Sequence, residues 1–102
     1  LVFDEIDVGI SGGTAEIVGR LLADLGSHVQ ILCITHQAQV AAQSDQHLLV
    51  KKRQTDPASS TIVVLEEDER ILELARMTGG VEISDTTLQH AKQLRQLKFQ
   101  QA

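Results

Sequence analysis

Two short apolar runs, separated by one amphipathic helical pattern, constrain this chain more than anything else in it. Leu1-Val2-Phe3 is uninterrupted apolar sequence ending in Asp4-Glu5, the pattern of a strand covered on both faces. Gly9 to Gly13 reads as a turn, with Ser11 placed to cap the helix after it. From Thr14 to Leu25, the residues Ala15, Val18, Leu21, Leu22 and Leu25 recur at helical spacing, and Gly26 predicts the stop. Val29 to Ile34 is a second apolar run, broken only by Gln30 and ending in Thr35-His36. A strand, a helix and a second strand of this kind form a right-handed βαβ crossover. The fold class is therefore α/β, with a sheet that is at least partly parallel.

The remaining sequence fits one domain. At 102 residues, a chain buries only about 60–65% of the surface its unfolded form exposes, so one thin core is expected. Aromatic residues make up 2%, without Trp or Tyr, so that core is aliphatic and no platform exists for stacking single-stranded bases. A net charge of −5 gives no global field for attracting DNA. One cysteine excludes both an internal disulfide and a Cys-rich zinc site; Cys33, flanked by apolar residues, reads as an inert core thiol. No apolar stretch approaches the roughly 20 residues of a membrane helix, and no secretory leader is recognisable. The expected setting is a soluble, cytoplasmic protein without a membrane partner. The start at Leu1, inside a strand pattern and without Met, reads as a fragment.

Further along, Gln37 to Ala42 predicts a short helix. His47 to Arg53 and Ser60 to Glu66 predict an antiparallel hairpin at the sheet edge, joined through Gln54-Thr55-Asp56-Pro57-Ala58. Lys51-Lys52-Arg53 would then lie opposite Glu66-Glu67-Asp68-Glu69 as cross-strand charge pairs, the alternative being a binding patch. Helices are expected from about Glu69 to Thr78, closed by Gly79-Gly80, and from about Asp85 to Lys98, with Leu88, Ala91, Leu94 and Leu97 inward.

The chemistry gathers at the end of the first strand. Asp4, Glu5 and Asp7 crowd together without a nearby cation in sequence, and open α/β sheets place ligands outside the carboxyl ends of their strands. Adjacent carboxylates repel unless a cation offsets them. Magnesium suits one or two carboxylates completed by substrate phosphates. An apolar strand ending in Asp-Glu is the Walker B pattern, in which the Asp supports magnesium and the Glu acts on the attacking water. A solvated acidic turn is the simpler alternative. His36 ends the second strand, and paired strands lie about 4.8 Å apart, so it can come close to Glu5 and sense a γ-phosphate. Competing motifs fail. Ile6 breaks the Asp-x-Asp of a dehalogenase-type nucleophile, and the Gly9–Thr14 turn lacks the Lys of a phosphate loop. His28, His47 and His90 have no metal-ligand spacing.

These residues resemble a known family. Leu1-Val2-Phe3-Asp4-Glu5-Ile6-Asp7-Val8-Gly9-Ile10-Ser11-Gly12 is similar to the Walker B and D-loop region of the bacterial RecN DNA-repair family, ATPases of the SMC-like branch of ABC proteins. Ile34-Thr35-His36-Gln37-Ala38-Gln39-Val40-Ala41 resembles that family's switch-histidine segment. Ala75-Arg76-Met77-Thr78-Gly79-Gly80, Ile83-Ser84 and His90-Ala91 resemble its C-terminal tail. The resemblance implies a P-loop NTPase sheet of the ABC/SMC head type, with residues 1–102 as its C-terminal lobe only, carrying an edge hairpin and two C-terminal helices. It implies ATP and Mg2+ as cofactors, Asp4 as the magnesium-supporting residue, Glu5 as the catalytic base and His36 at the γ-phosphate. Gly9, Ile10 and Ser11 would form the D-loop at a head–head interface, with Ser11 where the wider ABC pattern has Asp. The implied partners are the N-terminal lobe of the same head, a second head in an ATP-dependent dimer, and DNA, in a nucleoid-associated setting. No Gly-x-x-x-x-Gly-Lys-[Ser/Thr] occurs in the chain; in the family it lies upstream, so the chain alone is expected to be inactive. The other class of reading is a non-enzymatic α/β module whose acidic strand end binds a divalent cation or a protein.

Overall fold

The computed structural model describes residues 1–53, 59–79 and 82–99, and the elements run β-α-β-α-β-β-α-α. Strand β1 (Val2–Asp4) pairs in parallel with β2 (Leu32–Ile34), in the register Val2 to Leu32, Phe3 to Cys33 and Asp4 to Ile34. Helix α1 (Gly12–Gly26) makes the crossover between them, as the two apolar runs required. Ser11 occupies the cap position, but its side chain makes no capping hydrogen bond there. Helix α2 (Ala38–Ala41) comes directly after β2. It lies close against α1 because Gly19 has no side chain: a Cβ there would meet the Gln39 carbonyl oxygen at 3.0 Å and the Val40 Cα at 3.2 Å.

Strands β3 (Leu48–Arg53) and β4 (Ser59–Val64) form an antiparallel hairpin. Among the described residues it is a two-stranded sheet of its own, not hydrogen-bonded to β1–β2. The expected connection Gln54 to Ala58 and the expected helix stop at Gly80 lie outside the described residues. The expected charge pairing does not form. Lys51 stands opposite Thr61, Lys52 opposite Ser60 and Arg53 opposite Ser59. The acids instead open α3 (Glu67–Gly79), where Glu67, Asp68 and Glu69 occupy the first turn, the end of a helix that favours negative charge. Helix α4 (Asp85–Phe99) opens with a reciprocal cap. The Thr87 amide donates to the Ser84 hydroxyl at 3.2 Å, and the Ser84 amide donates to the Thr87 hydroxyl at 2.9 Å.

The core lies between α2, α3 and α4. It joins Ala38, Ala41 and Ala42 to Leu74, Ala75, Ala91 and Leu94, with Ile71, Met77 and Leu88 around them. So many alanines let the three helices approach closely. Two buried arginines complete the assembly. Arg70 donates to the carbonyls of Ala41, Ser44 and Asp45, and Arg95 to that of Ala42 at 2.5 Å. These carbonyls lie at and just beyond the C-terminal end of α2, the end of a helix that favours positive charge. Arg95 also forms a forked pair with Glu67, which holds that carboxyl below its usual range.

The expectation of two-face-covered strands is corrected in this chain. Val2 of β1, and Leu32 and Ile34 of β2, are exposed, as are Ile17, Leu21 and Leu25 of α1. The apolar pattern is present, and its cover is not supplied by the described residues.

His47, at the start of the hairpin, carries a pH dependence. Burial, then the Arg70 charge, lowers its imidazole from the ordinary 6.5; Glu73 pulls the other way and Arg95 adds to the lowering. Among the described residues its buried Nδ1 has no hydrogen-bond partner. The folded state thus binds a proton less readily than the unfolded one, so this contribution is complete above 6.5 and is lost as the pH falls below it. Urea unfolding midpoints measured from pH 7.5 downward should decline in that window, and His47→Gln should flatten the decline. An unchanged slope in the variant would assign the effect to other groups.

Candidate functional site

Asp4 closes β1, and the amide of Glu5 donates to the Ile34 carbonyl at 2.8 Å, the last hydrogen bond of the parallel pair. Two residues beyond Ile34 stands His36. The ladder therefore brings Asp4, Glu5 and His36 to the same end of β1–β2, and all three are exposed. Glu5 has φ +51, a left-handed conformation uncommon for any residue but Gly, Asn or Asp. Strain of this kind clusters at functional sites. It turns the chain sharply out of the strand, so Glu5 leaves the alternation that Val2 to Asp4 obey.

Asp7 does not join the other two carboxylates. Its exposure is 0%, and its Oδ2 accepts a hydrogen bond from the Thr35 hydroxyl. Gln37 completes a clasp: its side-chain amide donates to the Asp7 carbonyl at 3.1 Å and to the Ile10 carbonyl at 3.2 Å. Thr35 and Gln37, the two neighbours of His36, thus both hold the loop that leaves Glu5. The acidic crowd seen in sequence separates into an exposed pair, Asp4 and Glu5, and a buried structural acid. Nothing in the sequence pattern distinguishes Asp7 from the other two, because a carboxylate is buried only by partners some 28 residues away.

Gly9, Ile10 and Ser11 lead from this loop into α1. Gly9 has φ +82, where a side chain would be strained although there is open space around it. Gly9 and Ser11 are exposed, and Ile10 is half-buried with its carbonyl held by Gln37. The loop is therefore fixed from inside and presented outward. Cys33 of β2 is half-buried; burial, then the Asp7 carboxylate, pushes its thiol up from 9.0 and keeps it protonated.

The donor set at the strand end is two exposed carboxylates. Among the described residues no group of three or more His, Cys, Asp or Glu side chains converges as a metal site. Two hard oxygen donors with open positions suit magnesium held jointly with phosphates.

No family model matches the chain. It is similar to the DNA repair protein RecN of Vibrio cholerae, at 47% identity over 95 residues, covering 92% of this chain and 17% of that one. The corresponding protein of Bacillus subtilis is 41% identical over 95 residues, with 92% and 16% covered. That of Xylella fastidiosa is 49% identical over 85 residues, with 82% and 15% covered. The chain thus spans about one sixth of the length of the curated relatives it matches. Among solved structures, it is similar to one described under ATP-driven dimerization and DNA-stimulated activation of SMC ATPases, with TM-score 0.67 and 22% identity over 76% of this chain and 47% of that one. That likeness establishes the fold. Among the described residues no helix is long and apolar enough to cross a membrane.

Proposed function

We propose, on the premise that this chain is a relative of the RecN DNA repair proteins with the fold of an SMC-type head lobe, that it supplies the catalytic carboxylates of an ATPase head. The observation that carries the reading is the shared end of β1–β2, where exposed Asp4 and Glu5 meet the His36 segment while Asp7 is withdrawn. Magnesium, when bound, neutralises phosphate charge and orients the triphosphate. Asp4 is the residue that would hold it. Glu5, turned out of the strand, accepts the proton of the attacking water. His36 donates to the γ-phosphate. The clasp of Thr35 and Gln37 on the Asp7 loop keeps His36 and the Gly9–Ser11 loop in one geometry.

A phosphate loop must come from elsewhere, since no such motif occurs in these residues. The exposed apolar residues of β1, β2 and α1 are where an N-terminal lobe would pack, and Gly9 to Ser11 face a second head. The relatives are DNA repair proteins, which supports a role in DNA repair; the reading adds DNA as partner and a cytoplasmic, nucleoid-associated setting. The test is a thermal melt with Mg-ATP. ATP should raise the melting temperature of this chain combined with its N-terminal lobe and leave the chain alone unchanged. Micromolar ATP affinity for residues 1–102 alone would contradict the reading and favour a self-contained module.

A further inference from the structure

The hairpin carries a feature that the ATPase reading does not use. Lys51, Lys52 and Arg53 are consecutive and exposed, and their cross-strand neighbours are three hydroxyl residues, Thr61, Ser60 and Ser59. Among the described residues none of the three cations meets a carboxylate. The stretch 51–61 holds three cations and one acid, Asp56, in a chain of net charge −5. Strand alternation divides them. Lys52 and Ser60 share one face of the ribbon, while Lys51, Arg53, Thr61 and Ser59 share the other. Nearer the body the ribbon is apolar, with Leu48 opposite Val64 and Val50 opposite Ile62.

We infer that this end of the β3–β4 hairpin is a contact for the phosphate backbone of duplex DNA. A two-stranded ribbon fits the major groove, about 12 Å wide. Cations on both faces of such a ribbon can reach phosphates on either wall, and the hydroxyls opposite them add further donors to phosphate oxygens. Aromatic residues, which single-strand binding uses for stacking, are lacking in both strands. The contact is independent of base sequence, because lysine and hydroxyl donors aimed at phosphates carry no base information. The inference rests on the DNA-repair reading and locates the DNA partner on this lobe.

The experiment is fluorescence anisotropy of a labelled random-sequence duplex with the reconstituted head, titrated at several salt concentrations. The comparison is between wild type and Lys51→Gln/Lys52→Gln/Arg53→Gln. Each phosphate contact adds close to one unit to the slope of log affinity against log salt, so the triple variant should lose roughly two to three units. Affinity at low salt should fall on the order of tenfold or more. Lys51→Arg/Lys52→Arg should keep the slope. ATP binding and the melting temperature should be unchanged in both variants, since these side chains touch neither the nucleotide site nor the core. An unchanged slope and affinity in the triple variant would overturn the inference and leave the cations as protection of an exposed strand edge. Failure of the wild-type head to bind the duplex would overturn it together with the DNA-partner reading.

Discussion

Glu5→Gln, placed in a head reconstituted from this chain and its N-terminal lobe, should lower ATP turnover by about 10²–10⁴-fold, the usual loss when a general base is removed. The substitution keeps the size of the side chain and its capacity to hydrogen bond, and removes only the basic oxygen. It leaves the backbone bond from residue 5 to Ile34 in place. Glu5 is exposed, so no buried partner is lost and the fold should melt as before. Turnover within about threefold of wild type would move the base elsewhere; the loss expected of a true base is at least about 10²-fold.

Leu74→Ala should be the most damaging single change to the fold, at about 2–5 kcal/mol. Leu74 has 0% exposure and sits among the alanines of α2, α3 and α4. Those neighbours have no side-chain length with which to close the void. Domains of this size have about 5–15 kcal/mol of stability in total, so the loss is a large share. The melting temperature should fall by at least about 8 °C. Leu72, on the same helix, is 51% exposed, and Leu72→Ala should stay within about 0.5 kcal/mol. Equal effects at the two positions would mean that α3 packs by a different face. Because α2 comes directly after the His36 segment, the Leu74 void should also loosen the site that α2 supports.

The sequence made the parallel pairing of β1 and β2 legible because two apolar runs flank a helix-length amphipathic segment, and a helix is the usual connection that lets neighbouring strands run the same way. The hairpin and both C-terminal helices were legible from periodicity and turn residues. What escaped was long-range. Asp7 looks like Asp4 in sequence, and only Thr35 and Gln37, folded back against it, make it an interior residue. Arg70 and Arg95 are buried through hydrogen bonds to carbonyls at and beyond the end of α2, far away in the sequence, which no local pattern shows. The charge pairing expected across the hairpin fails because Glu67, Asp68 and Glu69 are taken by a helix N-terminus instead of by β4. The pairing of Asp4, Glu5 and His36 at one strand end was legible because each terminates an apolar run, and parallel strands align such termini.

The central claim is that adjacent carboxylates have different jobs, Asp4 in nucleotide binding and Glu5 in hydrolysis. The most direct measurement is ATP affinity and head-dimer fraction for Asp4→Asn and Glu5→Gln reconstituted heads in one buffer with magnesium. Glu5→Gln should bind ATP as wild type does and accumulate as the ATP-bound dimer, whereas Asp4→Asn should bind ATP weakly and form no trapped dimer. Equal loss of binding in the two variants, or a trapped dimer in Asp4→Asn, would contradict the division of roles.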